Sequence, residues 1–340
     1  MKTLRIGCVK YLNARPLIRG WPGEVEFDHP SALCERLANG ELDVALVSSF
    51  EFLRNPIYRI IDDVSISSDG PVYSVVVAHR DEISKIDEIE LDPASETAVN
   101  LLRCLLGEFD LKPRLTRNID LQSVRPAGLQ PAISTPVQTA ESQTAENISA
   151  GHTSSMPISR PPADLEPAFG TVRPAGLQRA ESETAESISA GRTGKMPVFP
   201  ARRAQLLIGD QAIRFRQKHT DDFQFWDLGE QWKKLIGLPF VYALWLIRPE
   251  VRDPKTIANR LRALRAENLA GLDELIAEVV AGVGDPGARE KFDPEFYSRY
   301  YHDHLRFSFG KAEKEGLRTF GQLCAKRGLL PGGGIAFNLV

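Results

Sequence analysis

The sequence predicts an α/β protein of two lobes that carries a disordered insertion. Short apolar runs of the kind that parallel sheets bury alternate with helical patterns in the first part of the chain. A block at 124–203 breaks this alternation with a different composition, and strands and helices resume after it. Without the block the chain keeps about 260 residues, a usual size for a two-lobed α/β protein.

The N-terminal part alternates strands with helices. We predict strands at 3–9, 24–28, 43–47, 57–61 and 71–79, and helices at 15–20, 31–39, 48–54 and 95–108. The 31–39 helix begins with a serine and has Gly40 just past its end, which are ordinary start and stop signals. Leu42–Val47 is a short apolar run typical of a buried parallel strand.

The block at 124–203 contains an imperfect repeat. Its segment Val124–Gln130, Val-Arg-Pro-Ala-Gly-Leu-Gln, returns unchanged at 172–178. The block has no Trp or Tyr, and its large aliphatic residues are too few to offset chain entropy with a core. Two copies are also fewer than the roughly three that a solenoid needs. We therefore predict that the insertion is disordered.

Regular structure is predicted again after the insertion. Gln205–Asp210 indicates a strand that runs into a helix, and another helix opens near Trp226. The apolar run 238–247 predicts a long strand, and 254–328 reads as helices with an interruption near 307–310.

Two long strands, 71–79 and 239–247, are the natural crossovers between the lobes. The N-terminal segment and the C-terminal helices would form one lobe, and the middle segment would form the other. We predict lobe 1 at 1–80 and 245–340, and lobe 2 at 81–244 with the insertion inside it.

Composition argues against several classes of function. The net charge of −3 comes without a basic stripe, so nucleic acid is not expected as a partner. No apolar run approaches the roughly 18 residues of a membrane span, and the N-terminus lacks the features of a signal peptide, so we expect a cytoplasmic protein with no membrane partner. The four cysteines and six histidines form no metal-ligand pattern, and dinucleotide and phosphate-loop motifs are missing. We expect no metal and no cofactor.

Small polar residues follow several predicted strands. Pro16 marks a helix start, which places Asn13 at a strand-to-helix junction where free N–H groups and the helix dipole favour an anion. The candidate site residues are Asn13, Ser48, Ser68, Asp69, Gly70, Ser95, Thr97 and Asp210. If they face one cleft, they would surround a small carboxylate. Taken singly, each could instead be an ordinary cap or turn residue, and for Asn13 that other role is a helix N-cap.

Six motifs, in register, resemble the chorismate dehydratase family of menaquinone biosynthesis by the futalosine pathway. They are Val9–Leu17, Glu41–Val47, Ser67–Val75, Leu91–Thr97, Leu206–Asp210 and Gly237–Trp245. The resemblance covers nearly the whole chain apart from 124–203 and the extreme C-terminus. It implies a type II periplasmic-binding-protein-like (flytrap) fold with the ligand between the lobes. It also implies a carbon–oxygen lyase that converts chorismate to 3-[(1-carboxyvinyl)oxy]benzoate and water.

The chemistry of that substrate suggests how the site would act. Loss of the C3 proton and the C4 hydroxyl makes the ring aromatic, and a carboxylate base beside the dianion would be repelled. We therefore expect neutral donors, with Asn13 as the catalytic residue that orients the ring and the proton passing to the substrate's enolpyruvyl carboxylate. Ser95 and Thr97 would bind a carboxylate, while Glu96 would point away.

Three other functions stay open. A related enzyme of the same fold and pathway acts on a futalosine-derived nucleoside, but its family opens with a Pro-Asn-Asp-Thr type motif where this chain reads Leu12-Asn13-Ala14-Arg15-Pro16-Leu17. A non-catalytic binding protein for a small carboxylate would need an export signal, which we do not expect here. The ligand-sensing domain of a transcription regulator would need a DNA-binding helix pair, which we do not expect either.

Overall fold

The computed structural model describes residues 4–117, 202–282 and 293–340. Within these residues the strands are β1 (Ile6–Val9), β2 (Glu26–Asp28), β3 (Val44–Ser48), β4 (Arg59–Ser68), β5 (Val75–His79), β6 (Glu88–Leu91), β7 (Arg114–Arg117), β8 (Arg203–Ile208), β9 (Gln224–Asp227) and β10 (Phe240–Ile247). The helices are α1 (Arg15–Ile18), α2 (Pro30–Ala38), α3 (Ser49–Arg54), α4 (Glu96–Glu108), α5 (Asp210–Lys218), α6 (Leu228–Ile236), α7 (Pro254–Ala270), α8 (Leu272–Ala281), α9 (Pro294–Arg299) and α10 (Lys311–Lys326). Short 3₁₀ turns lie at Leu12–Ala14 and Ile83–Lys85, and a π-helical turn lies at Tyr300–His304.

The strands form two five-stranded sheets. Sheet A has the order β2-β1-β3-β10-β4, and sheet B has the order β7-β6-β8-β5-β9. In sheet A, β1 is parallel to β2 and β3, while β10 is antiparallel to β3 and β4. In sheet B, β6 is parallel to β7 and β8, while β5 is antiparallel to β8 and β9. The chain therefore passes between the sheets twice, before β5 and before β10, and the predicted α/β class is confirmed.

The first passage differs from the predicted strand at 71–79, because β5 begins only at Val75. The buried Asp227 carboxylate accepts hydrogen bonds from the backbone N–H of Val72 at 3.0 Å and of Tyr73 at 2.8 Å. Tyr73 also has φ 69°, in the left-handed region. These backbone groups are thus bound to a side chain rather than to a neighbouring strand.

Other predicted elements are present with shifted ends. The predicted helix 15–20 ends at Ile18, because Arg19 leaves the helical region. The predicted strand 57–61 is longer, since β4 pairs with β10 as far as Ser68. Most of the predicted insertion lies outside the described residues. Its predicted end at 203 is wrong, because Arg203 already belongs to β8.

The core is densest around β10, whose eight residues are all buried. On one side of β10, Trp232 of α6 packs edge-on against Phe240 and Phe320, so an element that follows sheet B contacts the core of sheet A. Full burial of one such side chain contributes about 1.5–3 kcal/mol. These contacts fix α6 and α10 to β10 of sheet A.

A second contact joins α4, which follows β6, to α10. The Sγ atoms of Cys104 and Cys324 lie 3.7 Å apart in its buried part. At its edge, Glu108 accepts hydrogen bonds from Lys326 at 3.1 Å and Arg327 at 2.8 Å. The elements around the two passages are therefore tied together by both apolar and ionic contacts.

Candidate functional site

A small cavity of about 40 Å³ lies where strand ends of the two sheets meet. Val9 and Ser48 line it from the carboxyl ends of β1 and β3 in sheet A, and Ile208 lines it from the carboxyl end of β8 in sheet B. In open α/β sheets the carboxyl ends of strands are where ligands bind.

The polar side chains that line the cavity are all neutral. They belong to Tyr11, Asn13, Ser48, Ser74, Ser95 and Tyr242. Among the residues that the structure describes, no charged side chain lines it, and the remaining lining groups are mostly aliphatic. Hydroxyl and amide groups can hydrogen-bond an anion without placing a like charge beside it.

Asn13 lies in the 3₁₀ turn at Leu12–Ala14, immediately before α1. Its Oδ1 atom is buried and has no hydrogen-bond partner among the described residues. Ala14, not Asn13, is the N-cap of α1, so the alternative role of Asn13 as a helix N-cap is wrong. A buried acceptor without a partner costs about 1–3 kcal/mol, which a ligand that donates a hydrogen bond would offset.

Ser48 and Thr97 join the end of β3 to the start of α4. The Ser48 Oγ accepts a hydrogen bond from the Thr97 N–H at 3.0 Å, and the two hydroxyls are also hydrogen-bonded to each other. The Thr97 hydroxyl accepts a further bond from the Phe50 N–H at 3.0 Å. Thr97 is fully buried and does not line the cavity, so it lies behind Ser48 rather than against a ligand.

Ser95 is placed both as a cap and as a lining residue. It is the N-cap of α4, where its hydroxyl accepts from the Ala98 N–H at 3.4 Å. It also lines the cavity. Glu96 beside it pairs with Arg54 at 2.6 Å and is not a lining residue.

The segment Ser68–Gly70 does not line the cavity. The Ser68 hydroxyl donates to the Gly70 carbonyl at 3.0 Å and lies 3.3 Å from the Tyr242 hydroxyl. Ser68 therefore contacts a residue of the cavity lining but does not line the cavity itself. Asp69 is exposed and forms an ion pair with Lys233. The expectation that Ser68, Asp69 and Gly70 line the cleft disagrees with this placement, since none of the three lines the cavity and the Asp69 carboxylate is held at the surface by that lysine.

Asp210 begins α5 and joins the two sheets. Its Oδ1 accepts a hydrogen bond from the Leu12 N–H at 3.0 Å, across 198 residues of chain. The preceding residue, Gly209, has φ 65° and lies so close to Tyr11 that an added Cβ would be 2.9 Å from the ring. Gly209 lines the cavity, whereas the Asp210 side chain does not.

Sequence reasoning missed two buried tyrosines at the site. Tyr242 lines the cavity from the first half of β10, and the Tyr300 hydroxyl donates to the Ser74 hydroxyl at 2.9 Å. Burial raises the pKa of both phenols well above the ordinary value, so both remain protonated donors near neutral pH. A single tyrosine in the first half of an apolar strand was the available signal for Tyr242. Tyr300 had none.

Two further findings concern the described residues as a set. No three or more His, Cys, Asp or Glu side chains among them are grouped as metal ligands would be. None of the described helices combines the length and apolar character that crossing a membrane requires.

Comparisons with known proteins agree with the fold and the motifs. Chorismate dehydratase of Thermus thermophilus is 24% identical to this chain over an alignment of 340 residues. The alignment covers 95% of this chain and 95% of that protein. The crystal structure of a protein from Archaeoglobus fulgidus has a TM-score of 0.58 and 14% identity, and covers 96% of this chain and 98% of its own. The periplasmic aliphatic sulphonate binding protein SsuA from Escherichia coli has a TM-score of 0.50 and 11% identity, with 97% and 89% covered. The predicted periplasmic-binding-protein-like fold is thereby confirmed.

The match to a family model shows which family this chain belongs to. The model described as menaquinone biosynthesis matches residues 4–132 and 185–326. It leaves out 133–184, which lies inside the predicted insertion but is shorter than 124–203. The match includes every motif that carried the resemblance in the sequence. This chain therefore belongs to the menaquinone biosynthesis family.

Proposed function

We propose that this protein is a chorismate dehydratase, a carbon–oxygen lyase that removes water from chorismate to give 3-[(1-carboxyvinyl)oxy]benzoate. One observation carries the proposal: the cavity is lined by neutral donors and contains the buried, unpartnered Oδ1 of Asn13. The 24% identity to a chorismate dehydratase over nearly the whole length supports it.

The absence of charge in the lining suits a dianionic substrate. Ser95 is the N-cap of α4, and Ser48, at the end of β3, accepts a hydrogen bond from the Thr97 N–H in the first turn of α4, where the helix dipole favours negative charge. We infer that one substrate carboxylate binds there. Asp92 and Asp210 lie near Tyr11 and raise the pKa of its phenol, together with the larger effect of burial. Tyr11 is thus kept protonated as a donor.

The reaction itself needs little from the protein beyond orientation. The C3–H and C4–O bonds break, a C3–C4 double bond completes the aromatic ring, and the proton and hydroxide leave as water. The enolpyruvyl carboxylate sits beside C3 on the substrate, takes the C3 proton and passes it to the departing C4 oxygen, which leaves as water. The Asn13 Oδ1 would accept a hydrogen bond from the C4 hydroxyl and hold the ring, while the aliphatic lining excludes water.

Incubation of the purified protein with chorismate tests the proposal. The expected product is aromatic and lighter than chorismate by one water, as followed by absorbance and mass spectrometry. Chorismate alone controls for spontaneous breakdown. Binding of chorismate without turnover would instead identify a binding protein, and turnover of a futalosine-derived nucleoside alone would identify the related enzyme of the pathway.

A further inference from the structure

Leu12, which immediately precedes Asn13, is hydrogen-bonded at both of its backbone polar groups. Its N–H donates to the Asp210 Oδ1 at 3.0 Å. Its carbonyl accepts from the buried hydroxyl of Tyr301 at 2.8 Å. The Asn13 Oδ1 has no hydrogen bond of its own among the described residues. Its position in the cavity is therefore set by the backbone of the turn rather than by its own oxygen.

The two bonds to Leu12 come from different parts of the molecule. Tyr301 lies in the π-helical turn that follows α9, whereas Asp210 begins α5, directly after β8 of sheet B. Leu12 follows β1 of sheet A. The bond from Leu12 to Asp210 thus exists only when the ends of β1 and β8 are close together.

The Asp210 side chain is suited to this contact and not to the substrate. It does not line the cavity, so it lies outside the space where a dianion would bind. It occupies the first turn of α5, where the helix dipole favours a carboxylate. A hydrogen bond from a backbone N–H to an ionised carboxylate is stronger than one to a neutral acceptor.

We propose that Asp210 is a positioning residue that fixes the turn carrying Asn13 when the two sheets close around the substrate. This role rests on the proposed dehydratase function, and it replaces the direct substrate contact predicted for Asp210 from the sequence. When the sheets close and the Leu12–Asp210 hydrogen bond forms, the Asn13 amide is oriented in the same step.

Kinetics of variants test the role. Asp210→Ala should lower kcat at least about tenfold and change KM less, because a small displacement of an orienting group slows the reaction without removing a binding contact. Asp210→Asn should restore most of kcat, since its amide oxygen can still accept from the Leu12 N–H. Asp221→Ala, at an exposed aspartate just beyond α5, is the matched control and should behave like the wild type.

A double variant makes the test specific. If Asp210 acts through Asn13, adding Asp210→Ala to Asn13→Ala should lower the residual kcat by less than about twofold. Hydrogen exchange of a peptide covering residues 10–15 should be faster in Asp210→Ala than in the wild type. Unchanged exchange in the other peptides would show that the variant is otherwise folded. Additive losses, or a raised KM with unchanged kcat, would overturn the positioning role. A wild-type protein that leaves chorismate unchanged would overturn the proposed function instead.

Discussion

At the scale of single residues, Asn13 is placed where its acceptor atom has nothing to bind within the described structure. Substitution by alanine removes that buried, unpartnered oxygen, so the free energy of unfolding should stay within about 0.5 kcal/mol of the wild type or rise. Turnover of chorismate should fall about a hundredfold or more, because the ring loses its orienting contact. Thermal denaturation and steady-state kinetics measure the two effects.

Asn39→Ala, at the exposed C-cap of α2, is a suitable control for Asn13→Ala. Its turnover should be that of the wild type. A clearly destabilised Asn13→Ala variant with full turnover would show that Asn13 is a structural residue.

Thr97 calls for a different expectation from the one that the sequence suggested. Replacement by valine leaves the Phe50 N–H without a buried partner and removes the hydroxyl–hydroxyl hydrogen bond to Ser48. The free energy of unfolding should therefore fall by about 1–3 kcal/mol, as chemical denaturation would measure. Thr116→Val, on the edge strand β7, should have a smaller effect. Weaker chorismate binding at unchanged stability would favour the direct contact predicted from the sequence.

These two residues show what sequence could and could not reveal about the site. Pro16 and the polar turn placed Asn13 at the junction before α1, because helix starts have local signals. The partners of Thr97 come from β3 and α3, elsewhere in the chain. No local pattern indicates which of two neighbouring hydroxyl residues, Ser95 or Thr97, faces the ligand.

At the scale of secondary-structure elements, the contact between α4 and α10 predicts a pH-dependent stability. Hydrogen bonds from Lys326 and Arg327 hold the pKa of Glu108 below its ordinary value. A lowered carboxyl pKa stabilises the folded protein above the ordinary pKa, and this stabilisation is lost as the pH falls through the lowered value. Glu108→Gln should therefore be less stable than the wild type at neutral pH, by about 1 kcal/mol or less.

Unfolding of wild type and Glu108→Gln between neutral pH and pH about 3 checks the sign, since the two should converge as the pH falls. Glu315→Gln is the control, because Glu315 pairs with Arg318 inside the same helix and does not join two elements. A difference that persists at low pH would show that the effect comes from shape rather than from charge.

Elements with local signals were predicted more accurately than those shaped by distant contacts. The helix at 95–108 was found with a shift of one residue, because its cap and its apolar spacing lie within it. The start of β5 was missed because Asp227, about 150 residues later in the chain, binds the backbone at Val72 and Tyr73. Such a contact has no trace in the sequence near residue 71.

At the scale of the whole molecule, the resemblance carried by the six motifs implied the fold, but it did not indicate how the two sheets fit together. The bond between Leu12 and Asp210 spans 198 residues and depends on how the sheets approach each other. The family match also covers the two ends of the predicted insertion at 124–203, since between residues 4 and 326 it leaves out only 133–184.

Deletion of residues 133–184 should leave a folded protein with chorismate turnover within a few-fold of the full chain. The family match continues on both sides of this stretch, and lengthening or shortening a connection changes closure entropy only slightly. Circular dichroism and steady-state kinetics measure the outcome. A deletion that extends through Arg203 is the contrasting variant, because it removes the first residue of β8 and should be less stable. A folded but inactive 133–184 deletion would assign that stretch a part in turnover.

Gly209 determines how closely the end of β8 can approach the Tyr11 ring. A single methyl group at this position would sit 2.9 Å from the Tyr11 ring, and the backbone there has a φ of 65° that other residues rarely adopt. The space between Gly209, at the end of β8, and the Tyr11 ring is thus too small for one additional carbon atom. A side chain at 209 would therefore force the Tyr11 ring or the end of β8 to move apart, so Gly209→Ala should loosen the approach of the two strand ends that line the cavity.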